Sequence, residues 1–296
     1  MYAKTKNKRR KNMKKIISLA LVAVMLLVSL FTFASCGDDN KIIVQTNAFF
    51  APFEYYDGDK IVGVDVEIMN LVGEKLGKEV EFKDGDFAVI IDVVKEGKTA
   101  DCGAAGLTIT DERKEKVDFS IPYYTSVQYV IFKKDNAPEM KTAEDGSKYV
   151  VWEALAGKKI GTQTDTTGWI YTDGEVNATA DNDYGYDGVL YGTGATCEAM
   201  DSAQIAVDGL GNLTDVVVID ELPAKYIVSK NSGLECVPLY YSGADGEADS
   251  IVEEQYAICV TKGNTELLNA INSVLEDLIK EDKINEMVMR HMGMDQ

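Results

Sequence analysis

One strand-to-helix junction constrains this 296-residue chain more than any other feature of its sequence. Cys102 to Leu107 is small and apolar, as in a buried strand and its exit, and Thr110 then suits the N-cap of a helix. Asp111 and Glu112 follow in the first turn, where the helix dipole favours acids. Arg113 therefore falls at the third helical position, where a capping box would need Glu or Gln. We expect its guanidinium to point into a crevice beyond the strand ends and to bind a carboxylate there.

Short apolar runs alternate with helical patterns along the rest of the chain, which indicates an α/β fold with parallel sheets. The predicted strands are Ile42 to Val44, Glu79 to Phe82, Cys102 to Ala104 and Val216 to Ile219. Apolar residues that fall on one helical face predict two core helices, one starting near Val64 and one near Leu267. About 260 residues follow the N-terminal segment, and their pattern favours two domains over one.

The stretch AAGLTITDERKEKVDFSIPYY at 104–124 resembles the signature of type II solute-binding proteins, which deliver polar amino acids to ABC importers. Other segments resemble the same family in the same order: TNAFFAPFE at 46–54, IVGVD at 61–65, residues 87–94, residues 157–168 and VVVIDE at 216–221. The resemblance implies an α/β fold of two lobes, each a mainly parallel sheet flanked by helices, with a ligand cleft between the lobes.

The resemblance also implies where the chain crosses between lobes. In the family two extended strands make the crossings, and Ser126 to Lys133 and Gln255 to Lys262 correspond to them. We therefore predict a discontinuous first lobe of residues 41–125 and 255–296 and a second lobe of residues 126–254. The cleft should lie at the carboxyl ends of the strands, where open α/β sheets bind ligands.

The resemblance assigns the two charged ends of a bound amino acid to opposite lobes. Arg113 matches the arginine that binds the α-carboxylate, helped by the Thr108 hydroxyl and the backbone at Gly106. Asp220 matches the aspartate that receives the α-ammonium, although its sequence position alone would favour an N-cap. Both groups are needed because burying a zwitterion removes water from two opposite charges, and each must meet a counter-charge.

Further site residues follow from the same resemblance. Thr166 and Thr167, with Gly168, match a second-lobe anion cradle, and the alternative for them is an ordinary N-cap. Phe50 and Phe87 match walls around the ligand side chain, and the alternative for them is the core.

The residues that would set side-chain specificity give conflicting signals. Asn47 stands where relatives that prefer lysine, arginine or ornithine often have an acid, although Glu54 and Asp65 are nearby. Asp165 replaces the usual glycine before the threonines, and an extra acid there would favour a cationic side chain. The sequence leaves cationic, neutral polar and apolar amino acids open, and Asn47 leans away from a strictly basic specificity.

The N-terminus has the pattern of a lipoprotein export signal. The first 15 residues carry eight Lys or Arg, and an apolar run at 16–33 leads directly to Ala34, Ser35 and Cys36. We predict a signal peptide at 1–35, lipidation of Cys36, a linker at 36–40 and attachment to the outer face of the cell membrane. A retained signal anchor is the alternative.

Composition excludes several kinds of partner and chemistry. Without the signal, 22 basic residues face 49 acidic ones, and a net charge of −27 makes nucleic acid a poor partner. Cys102, Cys197, Cys236 and Cys259 are predicted to be buried free thiols, with a bridge between the last two as the alternative. The single histidine, His291, is read as structural, so we predict neither a metal site nor a cofactor.

Three classes of function fit these features. The first is a monomeric receptor that binds a free amino acid and docks on an ABC permease. The second is an enzyme on the same fold, such as a cyclic-acid dehydratase, but no His, Lys or Cys pair stands in a matching position for it. The third is a sensory or adhesive binding module. We expect a transport receptor and no catalysis.

Overall fold

The computed structural model describes residues 40–244 and 247–294. The predicted signal peptide at 1–35, the lipidation site Cys36 and most of the 36–40 linker lie outside the described residues. Within the described ranges, none of the helices is long and apolar enough to cross a membrane.

The first sheet has five strands and contains both early and late parts of the chain. Three parallel strands stand in the order β5, β1, β6, and β16 then pairs antiparallel with both β6 and β7. These strands are β1 (Lys41–Thr46), β5 (Glu79–Asp84), β6 (Cys102–Gly103), β7 (Asp118–Phe119) and β16 (Cys259–Val260). A separate antiparallel sheet is formed by β2 (Phe49–Phe50), β3 (Glu54–Asp57) and β4 (Lys60–Val62).

The second large sheet has eight strands from the middle of the chain. Its order is β12, β11, β13, β8, β14, β10, β9, and β15 also pairs with β8. The strands are β8 (Tyr124–Lys133), β9 (Lys141–Thr142), β10 (Lys148–Val151), β11 (Lys159–Gln163), β12 (Thr196–Met200), β13 (Val216–Asp220), β14 (Leu234–Tyr240) and β15 (Glu253–Tyr256). The chain passes between the two large sheets at residues 120–123 and 257–258.

Both large sheets are mixed, whereas the sequence predicted mainly parallel ones. Most of the antiparallel pairs involve strands next to the passages, because β8 runs antiparallel to β13, β14 and β15, and β16 runs antiparallel to β6 and β7. The remaining antiparallel pair is β9 with β10 at the edge of the second sheet. A strand that enters from the other sheet comes from the opposite direction and pairs accordingly. The α/β class and all four predicted strands are present.

The described part of the chain forms eight α-helices. They are α1 (Val64–Leu76), α2 (Ile90–Glu96), α3 (Asp111–Lys116), α4 (Thr167–Asn177), α5 (Ala203–Asp208), α6 (Glu221–Lys230), α7 (Thr265–Lys280) and α8 (Lys283–His291). Short 3-10 turns occur at Phe87–Val89, Lys134–Asn136 and Trp152–Leu155. The stripes predicted near Val64 and Leu267 become the buried faces of α1 and α7.

The structure shows the state of the cysteines and the hydrogen bonds of the single histidine. Cys102, Cys197, Cys236 and Cys259 are all free, and the alternative bridge is not formed. Cys102 and Cys259 are buried as predicted, whereas Cys197 and Cys236 are only partly buried. His291 lies between the Tyr55 hydroxyl, 3.0 Å away, and a carboxylate oxygen of Glu67, 2.7 Å away. It therefore joins α8 to α1 and to the small sheet.

Candidate functional site

A small cavity lies where the ends of the two large sheets meet. All eight residues predicted to bind the ligand line this cavity: Phe50, Phe87, Gly106, Thr108, Arg113, Thr166, Thr167 and Asp220. Gln163, which the sequence analysis missed, completes the lining. A larger hollow lies between α1, α7 and α8 and is lined by none of the predicted site residues.

Arg113 is positioned as its place in the sequence predicts. The Thr110 hydroxyl caps α3 by accepting a hydrogen bond from the Arg113 backbone N–H at 3.1 Å, which puts Arg113 at the third helical position. Its guanidinium is buried, with 8% of the residue exposed, and it donates from Nη1 to the Thr108 carbonyl and from Nη2 to the Asp165 carbonyl, both at 2.8 Å. Burial lowers its pKa, but an arginine stays charged in a protein.

The guanidinium therefore spans the cleft between segments of the two sheets. Thr108 follows β6 of the first sheet, and Asp165 follows β11 of the second. The Phe87 ring lies under the guanidinium, with its centroid 5.5 Å from Cζ. Since a guanidinium has five N–H donors and two are used, three remain for another acceptor.

Asp220 ends β13 and occupies the N-cap position of α6, but its side chain does not cap that helix. Instead its Oδ1 accepts a hydrogen bond from the Tyr256 hydroxyl at 2.6 Å. The residue is 4% exposed. Burial, and then the nearby Glu254 carboxylate, raise the pKa of Asp220 to about 7. The side chain of Asp220 lines the cavity, and none of the ion pairs among the described residues includes it.

The two threonines at the start of α4 have different roles. Thr166 is the N-cap, since its hydroxyl accepts from the Trp169 backbone N–H at 3.3 Å and donates to the Gln163 carbonyl at 2.7 Å. Thr167 is the first helical residue, and its hydroxyl donates to Glu254 Oε2 at 2.5 Å. The N-cap alternative therefore holds for Thr166, while Thr167 faces an acid that the sequence analysis did not consider.

Glu254 is the main residue that the sequence analysis missed. It lies on β15, is 2% exposed, and accepts hydrogen bonds from the hydroxyls of Thr108 and Thr167 and from the Gln128 amide. The sequence has no local signal for it, because residues 253–255 are all polar, and the alternation appears only in the folded strand, where Glu254 and Tyr256 are buried and Glu253 and Gln255 are exposed. That pattern places the two residues on the buried face of the strand.

The four residues considered for side-chain specificity lie around the cavity without lining it. Asn47 donates to the Gly85 carbonyl and accepts from the Gln163 amide at 3.0 Å. Glu54 and Asp65 are buried behind Gly106, whose backbone N–H donates to Asp65 Oδ2 at 3.0 Å. Asp165 lines a neighbouring hollow beside Trp169.

Asp165 contributes its backbone to the site. Its φ of 62° lies in the left-handed region that glycine favours and that Asp adopts more readily than most residues. This conformation explains how the chain accommodates Asp where the resembled family usually has glycine. The group that meets Arg113 is the Asp165 carbonyl.

Comparison with known proteins identifies the family. The profile of the bacterial extracellular solute-binding proteins, family 3, matches residues 42–294. This chain belongs to that family. Because the family and the relatives below are solute-binding proteins, the interpretation as a binding protein and not an enzyme is confirmed.

Two curated relatives illustrate the range of similarity. The chain is 37% identical over 150 residues to the arginine-binding extracellular protein ArtP of Bacillus subtilis. The aligned segment covers 47% of this chain and 54% of that protein. The chain is 28% identical over 291 residues to the L-cystine-binding protein TcyJ of Escherichia coli, and this alignment covers 95% of this chain and 94% of that protein.

Solved structures share the fold. The substrate-binding protein AbpA of Streptococcus pneumoniae, bound to L-arginine, has a TM-score of 0.70 and 25% identity over 86% of this chain and 95% of its own. An ancestral arginine-binding protein bound to glutamine has a TM-score of 0.66 and 32% identity over 86% of this chain and 98% of its own. The predicted two-lobed fold is thereby confirmed. The predicted lobe boundaries, 41–125 with 255–296 and 126–254, stay a prediction.

Proposed function

We propose that this protein is an extracytoplasmic receptor that binds one free amino acid in the cavity between its two large sheets and delivers it to an ABC importer. The proposal is supported most by one observation: Arg113 and Asp220, which follow strands of different sheets, line the same cavity. Relatives that bind arginine, cystine and glutamine by name agree with an amino acid as the ligand.

Arg113 binds the α-carboxylate in this proposal. Its two bonds to carbonyl oxygens hold the guanidinium in place, and its remaining N–H groups match a carboxylate. Asp220 binds the α-ammonium, since its Oδ1 has one hydroxyl partner and a carboxylate accepts several hydrogen bonds. A ligand that binds groups on both sides of the cleft stabilises the closed arrangement, which a permease can distinguish from the open one.

Replacing Arg113 tests the ligand site. Truncating one partner of a buried charge pair costs about 2 to 5 kcal/mol, so Arg113→Ala should weaken binding by roughly thirtyfold to several thousandfold. Isothermal titration calorimetry with the twenty amino acids should find at least one tight binder for the unmodified protein and show this loss in the variant. Lys114→Ala removes an exposed charge from the next position of the same helix and should leave the affinity unchanged. Retained affinity in Arg113→Ala would rule out this site.

We also propose that Cys36 carries a lipid anchor that keeps the receptor at the membrane. The support is the basic and apolar segment that ends in Ala34, Ser35 and Cys36. Two or three acyl chains hold a protein stably on a bilayer. Labelled palmitate should be incorporated into the unmodified protein and not into Cys36→Ala. Equal labelling of both would contradict the anchor.

A further inference from the structure

Glu254 is a buried acid whose three hydrogen-bonding neighbours are all donors. Oε2 accepts from the Thr108 hydroxyl at 2.9 Å and from the Thr167 hydroxyl at 2.5 Å. Oε1 accepts from the Gln128 amide at 3.0 Å. Three donors and no acceptor are the surroundings of an ionised carboxylate.

The strand pairing fixes Glu254 in this place. Strand β15 pairs antiparallel with β8, and Glu254 lies opposite Ser126 in that ladder. An isolated bridge between Thr108 and Tyr256 joins the loop after β6 to the same strand. Glu254 is therefore held directly behind the two threonines that line the cavity.

These bonds decide what the threonines can offer to a ligand. A threonine hydroxyl has one hydrogen and two lone pairs, and both Thr108 and Thr167 direct the hydrogen to Glu254. Towards the cavity they can present only lone pairs. A ligand carboxylate gains nothing from two acceptors, whereas an ammonium or a guanidinium gains two hydrogen bonds.

The charges around the cavity favour the same kind of ligand. In the described part of the chain, Arg113 is the only buried basic residue, whereas Asp220 and Glu254 are two buried acids close enough for Glu254 to raise the pKa of Asp220. None of the ion pairs among the described residues includes either acid. The two charges of a zwitterion cancel, so a neutral amino acid would leave one carboxylate uncompensated. A ligand with one additional positive charge compensates both.

We propose that Glu254 is a positioning residue that makes this cavity select an amino acid with a cationic side chain. It acts through the hydroxyls of Thr108 and Thr167 and through its own charge. The Phe50 ring, which also lines the cavity, adds an aromatic surface suited to a cation. This inference rests on the proposed function. It disagrees with the sequence analysis, in which Asn47 favoured a ligand that is not strictly basic.

A competing role for Glu254 makes a different prediction. If its carboxylate only fills the place of a ligand carboxylate in the empty site, the ligand displaces it. Removing the charge would then tighten the binding of every amino acid by the same factor. If Glu254 stays and selects a cation, removing the charge changes the ratio between charged and neutral ligands.

The test compares L-arginine with L-citrulline, which has nearly the same shape but an uncharged side chain. Calorimetry on the unmodified protein should give arginine at least about tenfold tighter binding than citrulline, as expected for a close charge pair. Lysine against norleucine repeats the comparison with an ammonium. Glu254→Gln should reduce the arginine-to-citrulline ratio to near one. Glu253→Gln removes the same charge from the exposed face of the same strand and should preserve the ratio.

Each outcome has one meaning. If the unmodified protein binds citrulline as tightly as arginine, or norleucine as tightly as lysine, this inference is overturned but the proposed function stands. This measurement does not depend on the folding of any variant. An unchanged ratio in Glu254→Gln, or a uniform gain for all ligands, also overturns it. Absence of binding for all twenty amino acids contradicts the proposed function itself.

Discussion

Two pairs of buried acids in this protein, Glu54 with Asp65 and Asp220 with Glu254, are almost equally hidden from solvent but have different surroundings. Glu54 is 0% and Asp65 1% exposed, and neither carboxyl oxygen of Glu54 has a hydrogen-bond partner among the described residues. Burial, together with Asp65, raises the pKa of Glu54 well above its usual range. The raised pKa favours the neutral form of this carboxyl group, and a neutral group costs less to bury without partners than a charged one.

The bonds of Asp65 connect this first pair to the wall of the cavity. Its two oxygens accept from the Tyr123 hydroxyl and from the Gly106 backbone N–H. Gly106 has a φ of 54°, and a side chain there would come within 2.7 Å of the Phe50 ring. The first pair therefore lies behind the wall, and neither of its acids lines the cavity.

The second pair is bound by side chains that themselves face the cavity or lie beside it. Asp220 lines the cavity directly, and Glu254 binds two threonines that line it. Arg113 is near enough to lower the pKa of Glu254 in part, although burial raises it overall. Burial alone does not mark a binding residue. The pairs differ in their relation to the cavity: Asp220 lines it and Glu254 binds two side chains that line it, whereas Glu54 and Asp65 do not line it.

The largest expected difference between the pairs is in ligand affinity. Asp220→Asn keeps the shape but removes the counter-charge of the α-ammonium, so affinity for the tightest amino acid should fall by roughly thirtyfold or more. Glu54→Gln changes an equally buried acid of the first pair and should leave affinity unchanged. Calorimetry on both variants measures this, and urea unfolding verifies that both are folded. Equal losses in the two variants would remove the distinction between the pairs.

Local sequence rules predicted the first half of the site well. The Thr110 cap, the position of Arg113 and the end of β13 at Asp220 depend on hydrogen bonds within a few residues and on apolar runs. The family resemblance then joined these positions into one site. The structure brings all eight residues to one cavity.

Local rules failed for Glu254 because its partners are distant in sequence. Thr108, Gln128 and Thr167 are 146, 126 and 87 residues away from it, and only the pairing of β15 with β8 brings them together. The sequence pattern also missed the antiparallel pairs next to the passages, since the direction of those strands depends on the other sheet. For Asp165 the sequence showed a charge, whereas the structure uses a backbone carbonyl in a left-handed conformation.

A smaller difference should appear in how pH affects the stability of the unliganded protein. Burial raises the pKa of Asp65 to about 6 and that of Asp220 to about 7. An acid whose folded pKa is raised holds its proton in the folded state after the unfolded chain has lost it. Stability therefore falls as pH rises from about 4 to the folded pKa, by about 1.4 kcal/mol per pH unit for each group, and then levels off.

Ligand binding separates the two contributions. The groups that act on Asp220 electrostatically include Glu254, Tyr256, Arg113 and Tyr171, together with the Gln128 amide. A ligand ammonium stabilises the ionised Asp220. A saturating amino acid should therefore remove the contribution of Asp220 to the slope of unfolding free energy against pH, and Asp220→Asn should remove the same contribution. The part due to Asp65, which Asp65→Asn abolishes, should persist with ligand bound because Tyr123 and Gly106 already occupy that carboxylate. Urea unfolding from about pH 5 to about pH 8, with and without ligand, measures both parts. If saturating ligand abolished the Asp65 part as well, the first pair would respond to the ligand and the contrast between the pairs would fail.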